Sequence, residues 1–174
     1  KNAEDGIEVK VHPMLIPNNH PLANVNDAFN AVFVHGKAMD DAMFMGRGAG
    51  QMPTPSAVVG DIIDVCRNIV HDSCGRIGCC CYKNLEVKDI TDTKSKFFLR
   101  LEVADKQGVL ANIASVLGNS GVSIAQVVQK SGKDGVAELV IITAEVLEKN
   151  FNDAMAVFKG LSAVKNIAGV IRVY

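Results

Sequence analysis

Between Phe97 and Val173 the hydrophobic period switches repeatedly from two to three-or-four and back, and this alternation restricts the fold more than any other feature of the chain. Phe97, Leu99, Leu101 and Val103 place apolar side chains on one face of an extended segment. Asp105-Lys106-Gln107-Gly108 reads as a turn. Leu110, Ile113, Val116 and Leu117 then recur at helical spacing over Val109 to Asn119, and Ser120-Gly121 stops that helix. Val122 to Gln129 is a second strand, Ser131-Gly132-Lys133-Asp134-Gly135 a turn, and Val136 to Ala144 a third strand. A helix over Leu147 to Leu161, with Leu147, Phe151, Met155 and Phe158 inward, leads to a last strand at Val164 to Val173. The order β-α-β-β-α-β predicts a ferredoxin-like α+β unit, with one antiparallel sheet and two helices on one face.

Upstream the rhythm is different. Gly6 to Val11 alternates like a short strand, and the prolines of His12-Pro13-Met14-Leu15-Ile16-Pro17-Asn18-Asn19-His20-Pro21 then impose an extended or turning path. Asn30 to His35 reads as a buried strand and Ala42 to Met45 as the next, after a turn at Gly36 to Asp41. Gly46-Arg47-Gly48-Ala49-Gly50 is a loop of small residues. Thr54 suits an N-cap and Pro55 the first helical position, predicting a helix from Pro55 to about Asp72 with Val58, Val59, Ile62, Ile63, Cys66, Ile69 and Val70 on its apolar stripe. The polar stretch Leu85 to Lys96 is the junction. The boundary is set so that residues 1–92 form one domain, part of an α/β arrangement, and residues 93–174 the other.

Charge agrees with two units. Residues 1–92 carry 8 Lys/Arg against 12 Asp/Glu, and residues 93–174 carry 10 against 7. A net charge of −1 gives no basic footprint for nucleic acid. No apolar run is long enough to span a bilayer and Lys1-Asn2-Ala3-Glu4-Asp5 does not open a signal peptide, so no membrane partner and a cytoplasmic location are expected. The chain starts without Met inside a polar stretch, as a fragment would. Five cysteines lie between Cys66 and Cys81. The run Cys79-Cys80-Cys81 does not fit paired zinc-ligand spacing, so free and mostly buried thiols are expected and no metal site is assigned.

Phe97 to Leu110, together with Asn119-Ser120-Gly121-Val122-Ser123-Ile124, resembles an ACT domain. His12 to Pro17 with His20-Pro21-Leu22-Ala23, then Asn30 to Val34, then Gly46 to Asp61, resembles the end of the catalytic region of homoserine dehydrogenases. The resemblance implies a parent enzyme that passes hydride between NADP or NAD and the carbon joining aspartate semialdehyde and homoserine, on the route to threonine and methionine. It implies a homodimer or higher homo-oligomer regulated by a small amino-acid effector, threonine first. ACT domains of this kind pair edge to edge, with ligand between the first loop of one copy and a strand or helix edge of the other. The effector residues it implies are Asp105, Gln107, Gly108, Val109 and Leu110, with Ser123, Ile124 and Ala125 as partners. Physically, Gly108 lies at a helix start, where unpaired amides favour a carboxylate; Asp105 either caps that helix or meets an ammonium group.

For the cofactor the resemblance implies Gly50 and, less directly, Gly48. Their spacing is not the Gly-x-Gly-x-x-Gly of a dinucleotide fold, and a tight turn before the helix is the competing reading. His12 and His20 sit beside prolines with no carboxylate or serine placed to work with them. The family's nucleotide-binding domain, substrate-binding acidic residues and proton-donating Lys lie upstream of the matched region, so no catalytic residue is named and the piece alone is expected to be inactive. Two other readings compete: a free-standing amino-acid-binding or dimerisation module, and a metal-binding regulator built on the cysteines.

Overall fold

The computed structural model describes residues 2–3, 6–75, 78, 84–130, 132 and 134–174. Chain contacts divide it into two compact units, one made of residues 1–15 with 85–174 and the other of residues 16–84.

The first unit begins with three short strands: β1 (Asn2–Ala3), antiparallel to β2 (Gly6–Ile7), and β3 (Met14–Leu15). The alternation from Gly6 to Val11 therefore yields only a two-residue strand. In the second unit, β4 (Phe29–Gly36) and β5 (Asp40–Arg47) pair antiparallel as a hairpin in unbroken register from Phe29↔Arg47 to Gly36↔Asp40. Asp40 takes the left-handed conformation at φ 51°, which closes the turn. Helix α1 (Pro53–Val70) follows. It starts two residues before the expected Pro55: Pro53 takes the first turn, where its missing N–H costs nothing, and Met52 is the N-cap without a side-chain bond. Thr54 is thus inside the helix, and its amide reaches back to the Gly50 carbonyl at 3.5 Å.

The expected burial of this region is not found. The β4 strand is exposed or half-exposed throughout, and none of the α1 residues is buried. Val59 and Ile63, in the middle of the apolar stripe, keep 51% and 46% of their surface. Cys66 shares that stripe and is exposed, as is Cys74, which corrects the expectation of buried thiols at both positions. A helix stripe is buried only if something faces it, and among the described residues of the 16–84 unit nothing does. Cys79, Cys80 and Cys81 lie outside the described residues.

The rest of the first unit follows the sequence pattern closely. It comprises β6 (Lys94–Ala104), α2 (Val109–Asn119), β7 (Ile124–Lys130), β8 (Val136–Thr143), the short β9 (Val146–Leu147), α3 (Glu148–Gly160) and β10 (Val164–Val173). The sheet order is β3-β10-β6-β8-β7, with β9 pairing the start of β6. Each of the four long strands is antiparallel to its neighbours among them, in the order expected for β-α-β-β-α-β, and β3 adds a parallel strand outside β10. Phe97, Leu99, Leu101 and Val103 are buried in alternation, facing Ile113 and Leu117 of α2 and Phe151, Ala154 and Phe158 of α3. Phe97 and Phe151 stack at 3.7 Å between centroids. Leu110, expected on the apolar stripe of α2, is exposed, and Val109 is buried in its place.

The end of α2 is a complete Schellman motif. Gly121 is left-handed at φ 72°, its amide donates to Gly118 at 3.0 Å, and the Val122 amide donates to Leu117 at 2.9 Å. Val122 and Leu117 are both in the core, as that motif's hydrophobic contact requires. No described helix is long and apolar enough to cross a membrane.

Candidate functional site

The loop after β6 delivers chain to the start of α2 with open backbone. The Asp105 amide donates to the Gly135 carbonyl at 2.9 Å, tying the loop to the β7–β8 turn. Gly108 is the N-cap of α2, left-handed at φ 83°, and no side chain caps the helix. Asp105 lies three residues before this cap and does not fill it. The amides of Leu110 and Ala111 therefore begin the helix without a side-chain acceptor, and the helix dipole adds partial positive charge there. Asp105, Gln107, Gly108 and Leu110 are exposed, and a Cβ on Gly108 would meet nothing within 4 Å. The chemistry on offer is donation to an anionic group such as a carboxylate, with the exposed Asp105 carboxylate nearby in sequence.

Ile124 and Ala125 open β7, and Ser123 is the residue before it. The Ser123 carbonyl accepts from Ala144 at 2.8 Å, and the register shifts between Ile124 and Gln126, so Ala125 is the bulged residue of an edge strand. Within one chain this group and the 105–110 loop lie at opposite ends of the sheet. Ala104 pairs with Val136 at one end of β8, and Ile124 pairs with Thr143 at the other. Seven residue steps of strand separate them, roughly 23 Å. Among the described residues β7 is the last strand of the sheet order, with no strand on its outer side, and Gln126 to Lys130 are all exposed.

In the other unit, Gly48 and Gly50 are each explained by their own neighbours. A Cβ on Gly48 would run into the Asn30 side-chain amide, and the Gly48 amide donates to Ala28 at 2.9 Å. Gly50 is at φ 145°, and a Cβ there would sit 3.0 Å from Pro53. Gly46 alone in this loop faces open space. The histidines carry structural contacts. His20 accepts the Leu22 amide at 3.2 Å to cap a 3-10 turn over Pro21–Asn24 and packs on Phe33. His35 meets Asp41 at 2.7 Å across the hairpin.

One polar cluster went unread in the sequence. Glu148 begins α3 and its side chain is only 3% exposed. Arg172 donates to both its oxygens at 2.6 and 2.7 Å, Ser95 donates at 2.9 Å, and Lys10 approaches to 3.7 Å. Burial on its own raises the Glu148 carboxyl, but hydrogen bonds from Arg172 and Ser95 and the charges of Arg172 and Lys10 outweigh it and hold the group below its ordinary value. Its signal was an acidic residue at a helix N-terminus within an apolar stripe, with its partners 53 residues earlier and 24 later. Beside it is a cavity of about 390 Å³ lined by Lys10, Lys94, Lys96, His12 and Glu145 among others. Lys10 and Lys96 are already engaged, to Ser95 and to the Tyr174 carbonyl. Among the described residues no group of His, Cys, Asp and Glu is arranged to hold a metal ion.

Two family models match the chain: homoserine dehydrogenase over residues 2–63 and ACT domain over residues 91–172. A homoserine dehydrogenase of Corynebacterium glutamicum is 40% identical over 173 residues, which is 99% of this chain and 38% of that protein. The one from Bacillus subtilis is 38% identical, covering 96% and 39%. The crystal structure of a homoserine dehydrogenase from Thiobacillus denitrificans superposes with a TM-score of 0.86 at 36% identity, covering 99% of this chain and 40% of that one. Over nearly its whole length the chain is similar to homoserine dehydrogenases. It spans about 40% of the length of the relatives it matches. The dehydrogenase match includes residues 6–15, which the fold builds into the same compact unit as the ACT match.

Proposed function

We propose that this chain is the amino-acid-responsive portion of a homoserine dehydrogenase, a C-terminal piece with residues 1–92 from the catalytic region and residues 93–174 as the sensor. The parent protein interconverts homoserine and aspartate semialdehyde with NADP or NAD in the cytoplasm, in threonine and methionine synthesis. One observation carries the sensor reading: an uncapped helix start at Gly108 and a bulged free edge at Ser123–Ala125, too far apart in one copy to share a small ligand. Two copies joined edge to edge along β7 would bring the loop of one toward the strand of the other. An amino acid fits such a cleft, its carboxylate on the Gly108–Leu110 amides and its ammonium on Asp105. Threonine is the effector this reading favours.

For the coenzyme, Gly50 and Gly48 remain the contacts proposed. The coenzyme would supply the hydride acceptor, and these residues would only position its nicotinamide end. The contacts of Gly48 with Asn30 and of Gly50 with Pro53 support a narrower role, shaping the turn into α1. That favours the second reading, in which the piece serves regulation and subunit association and not catalysis. Calorimetric titration with threonine, run beside light scattering, tests the proposal. Heat release from a dimer-sized particle is expected, with no coenzyme reduction when homoserine and NADP+ are added. A monomer that releases no heat with any amino acid removes the sensor reading, and accumulating reduced coenzyme removes the expectation of inactivity.

A further inference from the structure

The cavity of about 390 Å³ beside Glu148 lies inside one compact unit, yet its walls come from both matched segments. Residues 8–14 bring the dehydrogenase-matched side, and the start of β6, Glu145 and the end of β10 bring the other. Its size falls in the range of small-molecule sites, about 300–1,000 Å³. Two of its charges stand apart from the rest. Lys10, with a side chain 12% exposed, is held at the back by Ser95, the Lys94 carbonyl and Glu148. In the β6–β9 register Lys94 faces Leu147 and Ser95 faces Val146, which brings Glu145 level with Lys96. Lys96 nevertheless turns to the Tyr174 carbonyl at 3.3 Å, and Glu8 has a partner of its own. Lys94 and Glu145, both exposed, therefore line one cavity with opposite charges and, among the described residues, without an ion pair to each other or to any third group. His12 adds an acceptor: its Nδ1 lies 2.9 Å from the Pro13 carbonyl, which only accepts, so Nδ1 carries the proton and the neutral ring keeps Nε2 as an acceptor.

We propose that this cavity is an amino-acid site complete within one copy of the chain. Lys94 receives the carboxylate, Glu145 and His12 receive the ammonium group, and Met14 with Val173 lines the place of an aliphatic side chain. While water fills the cavity, both unpaired charges are satisfied by it. A ligand that displaces the water must replace its bonds to both charges, which a zwitterion does and a simple carboxylate or amine does not. The site is distinct from the cleft proposed at Gly108–Leu110, which needs a second copy, and it rests on neither that reading nor dimerisation. Because residues 8–14 form one wall, an occupant joins the dehydrogenase-matched segment to the ACT-matched sheet.

Nuclear magnetic resonance titration of the whole chain with L-valine, at low ionic strength, tests this. The amides of Lys94, Ser95, Lys96 and Glu145 are expected to shift along one saturating curve. Isovalerate, which lacks the ammonium group, and isobutylamine, which lacks the carboxylate, are each expected to bind about fivefold more weakly, the upper range for one exposed ion pair. Lys94→Gln should lower valine binding to the strength of the amine, and Glu145→Gln to the strength of the carboxylate. Both variants replace an exposed side chain by a neutral one of similar size, so the fold is kept. The proposal is overturned if no saturable shift appears at these four amides, if either half-ligand binds as tightly as valine, or if either variant binds valine at full strength. Shifts confined to Gly108–Ala111 would also overturn it, while leaving the sensor reading of that loop standing.

Discussion

Glu148 shows how one residue can hold distant parts of a chain. A carboxylate this buried survives as an ion only because Arg172 binds it through two hydrogen bonds and Ser95 through a third. Arg172→Met leaves that charge without its main partner, and a loss of about 3 kcal/mol in unfolding free energy is expected by denaturant titration. The pH dependence has a definite sign. The folded carboxyl lies below its ordinary value of 4.5, so the unfolded chain takes up the proton first as pH falls. The stabilisation is complete above that value and disappears as pH drops through the folded one. Glu148→Gln should therefore trail the wild type in stability at neutral pH, with the gap closing on the acid side of 4.5. A gap that stays constant with pH would refute the assignment.

At the scale of elements, the helix ends matter more than the helix middles. The Schellman turn at Gly121 needs a left-handed residue, and a side chain there would strain the backbone and press on the Asn150 amide at 3.0 Å. Gly121→Ala is expected to cost roughly 1–2 kcal/mol in thermal or denaturant unfolding, without changing the sheet. This stop was legible in the sequence because Ser-Gly after a periodic stretch is local chemistry. So were the alternating faces of β6 and β8, which depend only on neighbours along the strand. The start of α1 was not, because Pro53 and Pro55 both suit a first helical turn, and the helix takes the earlier one although Met52 makes no capping bond and Thr54 is the better N-cap residue. The two glycines proposed for cofactor contact show a similar limit. Glycine in a loop signals close approach, but only coordinates show that Asn30 and Pro53 are what approach Gly48 and Gly50.

For the molecule as a whole, the two units differ in kind. The 85–174 part closes around its own core, whereas the hairpin and helix of 16–84 leave their apolar faces open. Val59→Lys combined with Ile63→Lys should therefore cost this chain no more than about 1 kcal/mol in unfolding free energy, because both side chains keep about half of their surface open and little burial is lost. The same pair should reduce self-association measured by light scattering. A large loss of stability would mean that the stripe is covered within the chain after all. The apolar periodicity, the strand order of the C-terminal unit and the family resemblance followed from residue order, since each is a pattern of near neighbours. The pairing of β3 with β10, the Lys10–Glu148–Arg172 cluster and the separation of the 105–110 loop from Ser123–Ala125 were decided only in three dimensions. They depend on which distant segments become neighbours when the sheet forms, and hydrophobic period carries no record of that.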